Sequence, residues 1–250
     1  FVADMTAGVK RSVDLRQQRV VDSLKAELEG MLPRVQQVIR QTKARVLGGG
    51  SSINVGDGNA YVARQAGSTG TLVMNSSSTL NAGFVGIGVG SVGVGNALGA
   101  AGGTGTLVLN NSTINTSRFE LGAGSLLTGD GGTIDAGTNG PVVIAGTISP
   151  GNSPGRLRIR CDITMLAGSK LILEINDRDG GPGVDFDIDQ LIIGDTSTFD
   201  LSSLQIIFSF MGNTNPNDFA ASVGGFNLDR FLLAGGPGET ITGGLSSLFG

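Results

Sequence analysis

Two hexapeptides constrain this chain more than any other feature. GTLVMN at Gly70–Asn75 and GTLVLN at Gly105–Asn110 lie 35 residues apart, and each leads through a Ser/Asn/Thr tract into Thr79-Leu80-Asn81 or Thr113-Ile114-Asn115. Repetition on this scale marks a unit too thin to bury its own apolar face, so that copies must stack to share a core. A second element recurs with it, as Asn54-Val55-Gly56-Asp57-Gly58, Phe84-Val85-Gly86-Ile87-Gly88 and Glu120-Leu121-Gly122-Ala123-Gly124. The apolar runs Leu72-Val73-Met74, Leu107-Val108-Leu109 and Val142-Val143-Ile144 are strand-sized and rich in branched residues. Glycine supplies the corners: the chain holds 43 of them, far above a usual share of about 7%, with only 7 prolines and no Gly-X-Y period that would indicate collagen. The expected fold is mainly β, a right-handed parallel β-solenoid (β-helix) with an N-terminal α-helical segment. A β-sandwich of hairpins is the alternative, above all for the C-terminal third, where the repeat fades.

Charge divides the chain near residue 50. Residues 1–50 hold nine Lys or Arg against five Asp or Glu, whereas the other 200 residues hold eight against sixteen. Val13, Val20, Val21, Leu24, Leu28, Met31 and Leu32 recur at helical steps. Pro33 breaks or kinks that helix, and Val35, Val38, Ile39 and Val46 continue the pattern to a stop at Gly48-Gly49-Gly50, with Lys43 and Arg45 in the last turn. The boundaries that follow are 1–47 for an amphipathic helical segment, 48–52 for a Gly/Ser linker, 53–160 for the repeat solenoid, 161–233 for a C-terminal β-region continuing or capping it, and 234–250 for a Gly-rich tail. Ser23–Gly49, SLKAELEGMLPRVQQVIRQTKARVLGG, resembles a helical stretch upstream of the catalytic core of some bacterial insertion-sequence transposases. It includes none of that family's catalytic acids, so no transposase activity is implied.

The sharpest local signature is Gly146–Leu157, GTISPGNSPGRL. It resembles the GxIxPGxSPGxL element of autotransporter-type passenger repeats and of related PEP-CTERM-like exported proteins. In those families a glycine-led strand follows, as Ala167–Ile175 does here, and an Asp-Gln-Leu step opens the next strand, as Asp189-Gln190-Leu191 does here. With the GTL repeats the resemblance spans about residues 53–233. It implies export, a β-helical passenger at the bacterial cell surface or in extracellular matrix, and adhesive or structural roles toward cell-surface or matrix glycans or proteins. Membrane contact is expected only through a sorting or translocator segment that these residues do not contain. A chain starting at Phe1 reads as a fragment or processed product.

Chemistry-bearing residues are few. With no histidine, the commonest general base and metal ligand is missing, and neither a Ser-His-Asp triad nor a His-zinc site can be assembled. Cys161 is the single cysteine and has no disulfide partner within the chain. Asp177, Asp179, Asp185, Asp187 and Asp189 crowd around Gly180-Gly181-Pro182-Gly183 and are the candidate metal ligands, with calcium the cation that such oxygen donors suit. The EF-hand register is not met, and a solvated turn with outward-facing acids is the simpler reading. No other cofactor is expected. The same acids are the only candidates for paired glycosidase carboxylates, but alternation puts Asp185, Asp187 and Asp189 on one face, and one Tyr with no Trp makes a poor sugar platform. Ser76-Ser77-Ser78 and Asn110-Asn111-Ser112-Thr113 read as polar surface that could bind water or glycan. The favoured function is therefore an exported, non-catalytic structural or adhesive module. The alternatives are a polysaccharide-acting β-helix enzyme using Asp177–Asp189 and a nucleic-acid-binding, transposase-derived fragment, although no nucleic acid is expected as a partner.

Overall fold

In the computed structural model the described residues are 44–47, 50–137, 140–151, 155–177, 186–194, 198–200, 203–212, 214, 232–234 and 240–242. The expected helix over 1–43 lies outside them. Residues 44–47, which the apolar periodicity assigned to the end of that helix, form a strand instead, because their backbone pairs with the first GTL repeat and tertiary pairing overrides a weak local preference.

Strands come in groups along the chain. The first group is β1 (Ala44–Leu47) and β2 (Ser52–Val62), the second β3 (Thr69–Met74) and β4 (Thr79–Ile87). Next come β5 (Thr104–Leu109), β6 (Thr113–Thr116) and β7 (Phe119–Leu121), then β8 (Leu126–Gly129), β9 (Gly132–Asp135) and β10 (Val142–Ile144). They are followed by β11 (Thr147–Pro150), β12 (Arg156–Arg160) and β13 (Ile163–Met165). The last groups are β14 (Ser169–Asp177), β15 (Phe186–Ile188), β16 (Gln190–Gly194) and β17 (Thr198–Asp200), then β18 (Leu204–Met211), β19 (Leu232–Ala234) and β20 (Thr240–Thr242).

Each group lies beside the previous one, and within a group of described strands only β15 folds back, onto β14. One parallel line runs β1-β3-β5-β8-β11-β14-β18. A second runs from the first half of β2 through β4, β6, β9, β12, β16 and β19, and a third from the second half of β2 through β4, β7, β10, β13, β17 and β20. β2 and β4 are long enough to join the second and third lines into one sheet. Among the described residues, every strand pairing is parallel except β14 with β15, two consecutive strands that pair antiparallel in the C-terminal third.

The register explains why the sequence repeats. Gly70 sits beside Gly105, Thr71 beside Thr106 and Met74 beside Leu109, so the two hexapeptides pair residue for residue. In-register stacking creates unbroken inward columns: Leu72, Leu107, Leu127, Ile148 and Leu171 on the first line, Leu80, Ile114, Ile134, Ile159 and Ile193 on the second, and Val85, Phe119, Val142, Ile163 and Phe199 on the third. Every one of these side chains is buried in one continuous core, and each fully buried aliphatic stabilises by about 1.5–3 kcal/mol.

The glycine-spaced element obeys the same stacking with a different alignment. Gly86 pairs with Glu120 and Ile87 with Leu121, two residues away from the match suggested by glycine spacing. A shift of two preserves which side chains point inward, so glycine spacing alone cannot choose between the registers.

Candidate functional site

The outer faces carry the polar residues, in columns as regular as those inside. On the second line Ser52, Thr79, Thr113 and Thr133 stand in one column, which continues into Arg158. Two residues on along each strand, Asn54, Asn81, Asn115 and Asp135 form a second column, which continues into Arg160. Asn115 Nδ2 donates to Asn81 Oδ1 at 2.8 Å, tying neighbouring strands together. β12 reads Arg156-Leu157-Arg158-Ile159-Arg160, and its alternation buries Leu157 and Ile159 while all three arginines face out. Arg160 lies 3.6 Å from Asp135, both partly exposed. The next strand places Gly194 beside Arg160. A Cβ there would lie 3.4 Å from Arg160 Cγ and 3.5 Å from Arg158 Nη1, so the two arginines lean over a position without a side chain. Charge totals hid this row; the period-two R-L-R-I-R pattern would have revealed it.

The Ser/Asn tracts turn out to be corners and not a flat face. Ser76, Ser77 and Asn111 take left-handed backbone with φ of 53°, 63° and 51°, Ser78 and Ser112 are buried, and Ser112 Oγ donates to the Met74 carbonyl at 3.2 Å. Asn110 Nδ2 donates to Asn75 Oδ1 at 2.8 Å, making a corner ladder. The outward polar surface expected of Ser78 and Ser112 is therefore corrected: both side chains are buried at the bends, and Ser112 adds a second hydrogen bond to the Met74 carbonyl, which already accepts from the Asn110 amide at 2.8 Å.

Of the five candidate metal ligands, Asp179 and Asp185 lie outside the described residues. Asp177 and Asp187 have only their backbone placed, beside Phe186 and Asn176 respectively across β14 and β15. Asp189 is fully described, and the outward orientation expected of it is overturned. It follows β15 at zero exposure, with Oδ1 accepting from the Gly155 amide at 2.7 Å and Oδ2 from the Glu174 amide at 2.8 Å. Burial pushes its carboxyl up to about 6, against the two amide hydrogen bonds that lower it, while Glu174 and Asp130 add smaller raising effects. Among the described residues, no group of three or more His, Cys, Asp or Glu could hold a metal ion. Asp189 instead links the two motifs that carry the passenger resemblance, since Gly155 belongs to GTISPGNSPGRL and Asp189 opens Asp-Gln-Leu. Gly155 also approaches its neighbours closely: a Cβ there would fall 2.4 Å from Gly151 Cα.

A second buried carboxylate organises the excursion between β4 and β5. Glu120, fully buried, accepts from the Gly93 amide at 2.7 Å on Oε1 and from the Gly99 amide at 2.8 Å on Oε2. Arg118 donates through Nε to Glu120 Oε1, and through Nη1 and Nη2 to the Gly95 and Ala97 carbonyls at 2.6 and 2.7 Å. The excursion is thus wound around a buried ion pair, with Val94 at its tip 85% exposed. Cys161 is buried, and burial pushes its thiol up to about 12, so it stays protonated and unreactive. Comparison with protein-family profiles, curated proteins and solved structures gives no match.

Proposed function

We propose that the chain from Gly50 onward is a right-handed parallel β-solenoid exported by a bacterium, with a structural or adhesive role at the cell surface or in the matrix and no catalytic one. The observation that carries the reading is the division of labour across each strand: apolar columns run inward without a break, and outward columns present Thr, Asn and Arg in register. Three parallel lines visited in the same order by successive strand groups are what a coiled chain produces, and a right-handed course follows from the handedness of parallel crossovers. A surface repeating about every 4.8 Å suits a repeating ligand or a neighbouring surface better than a small substrate. The chemistry argues the same way: there is no histidine, and the buried carboxylates Glu120 and Asp189 are held by backbone amides. Export is supported by the passenger-like GTISPGNSPGRL and Asp-Gln-Leu elements. Protease added to intact cells of the parent bacterium is expected to digest the protein; full protection, with recovery in the cytosol alone, would contradict the reading.

A further inference from the structure

We propose that the row Arg156, Arg158 and Arg160, together with the threonine and asparagine columns that run into it, binds an acidic polysaccharide. The proposal rests on the adhesive reading and adds a ligand class to it. Residues 51–250 contain only eight Lys or Arg against sixteen acids, yet three of the eight fall within five residues and on one face of one strand. Alternate residues on a strand are about 6.6 Å apart, so three guanidinium groups form a short cationic bar across the columns. Among the described residues Arg160 pairs with Asp135, whereas the Arg156 and Arg158 guanidinium groups form no ion pair with a described carboxylate, and Asp130 Oδ1 accepts from the Arg156 backbone amide at 3.1 Å. A planar guanidinium is suited to bidentate contact with carboxylate or sulfate, and Gly194 carries no side chain to crowd Arg158 and Arg160.

The neighbouring residues decide between classes of polyanion. Sequence-tolerant nucleic-acid sites combine a cationic track with aromatic stacking platforms. Here the only Tyr of the chain, Tyr61, already packs against Phe84 at 5.3 Å and beneath Arg64 at 4.6 Å. A polysaccharide with anionic groups separated by hydroxyls matches the surface better: Thr113, Thr133 and Asn115 offer hydroxyl and amide partners, and the arginine row meets the charge.

The test uses the full chain on immobilised heparin (sulfate), polygalacturonate (carboxylate) and dextran (neutral), with a fluorescent oligo-dT strand in solution. The expected result is salt-sensitive retention on one or both acidic polysaccharides and none on dextran. The R156Q/R158Q/R160Q variant should lose at least tenfold in affinity, while K10Q/R11Q/R19Q, which removes as much charge from the basic N-terminal segment, should bind as the parent does. Because R156K/R158K/R160K keeps charge but loses the planar fork, it should fall between them. Circular dichroism and the urea midpoint of each variant establish that it is folded. No retention on either acidic polysaccharide, equal retention by the glutamine row variant, or binding of oligo-dT alone would overturn the proposal. None of these outcomes touches the adhesive reading, which cell-surface proteolysis tests separately.

Discussion

Asp189 shows how one side chain can hold distant parts of this chain together. Its carboxylate receives the amides of Gly155 and Glu174, 34 and 15 residues away. Asp189→Ala leaves both donors unmet and should lower the unfolding free energy by about 2–4 kcal/mol, measured by urea denaturation. The carboxyl sits at about 6 in the folded chain, above its ordinary 3.8. Its pH-linked contribution is therefore complete below about 3.8 and disappears as pH rises through about 6. The stability gap between parent and Asp189→Ala should widen as pH falls from 7 toward 4; a gap constant across that range would refute the assignment. Gly155→Ala should also destabilise, because its Cβ would meet the Gly151 backbone.

At the scale of elements, the clasped excursion gives the clearest prediction. Removing one partner of a buried ion pair costs about 3–5 kcal/mol, and Glu120 holds two excursion amides besides Arg118. Glu120→Ala should therefore free residues 91–100 for cleavage by a protease that cuts after small apolar residues, with the parent resistant under the same conditions. Strand-sized apolar runs and the pairing of GTLVMN with GTLVLN were legible in the sequence, because two hexapeptides that differ only by Met74 against Leu109 repeat their contacts in one register. The FVGIG alignment was not, because glycine spacing permits shifts of two. The strand at Ala44–Leu47 was missed because its pairing partner is remote in sequence, and the inward turn of Asp189 because alternation within β15 does not extend past Ile188. The arginine row was readable as R-L-R-I-R, a period-two pattern that a net charge averages away.

For the molecule as a whole, stability should vary with position along the stack, since each strand group pairs its strands with those of its sequence neighbours. Leu107 lies between Leu72 and Leu127 and is fully buried, so Leu107→Ala should cost about 2–5 kcal/mol. Ile206 sits on the same line beside Leu171 and is only partly buried, so Ile206→Ala should cost less, and calorimetry can rank the two. The outward column Thr71, Thr106, Leu126, Thr147, Lys170 and Gln205 marks successive steps of that stack. Spin labels placed pairwise on cysteines at these positions, with buried Cys161 protected by its environment, measure the stacking most directly. The account predicts narrow distance distributions that grow by about 4.8 Å per step, reaching about 19 Å between Thr71 and Lys170 and about 24 Å between Thr71 and Gln205. Broad distributions, or distances that do not increase with the number of steps, would contradict it.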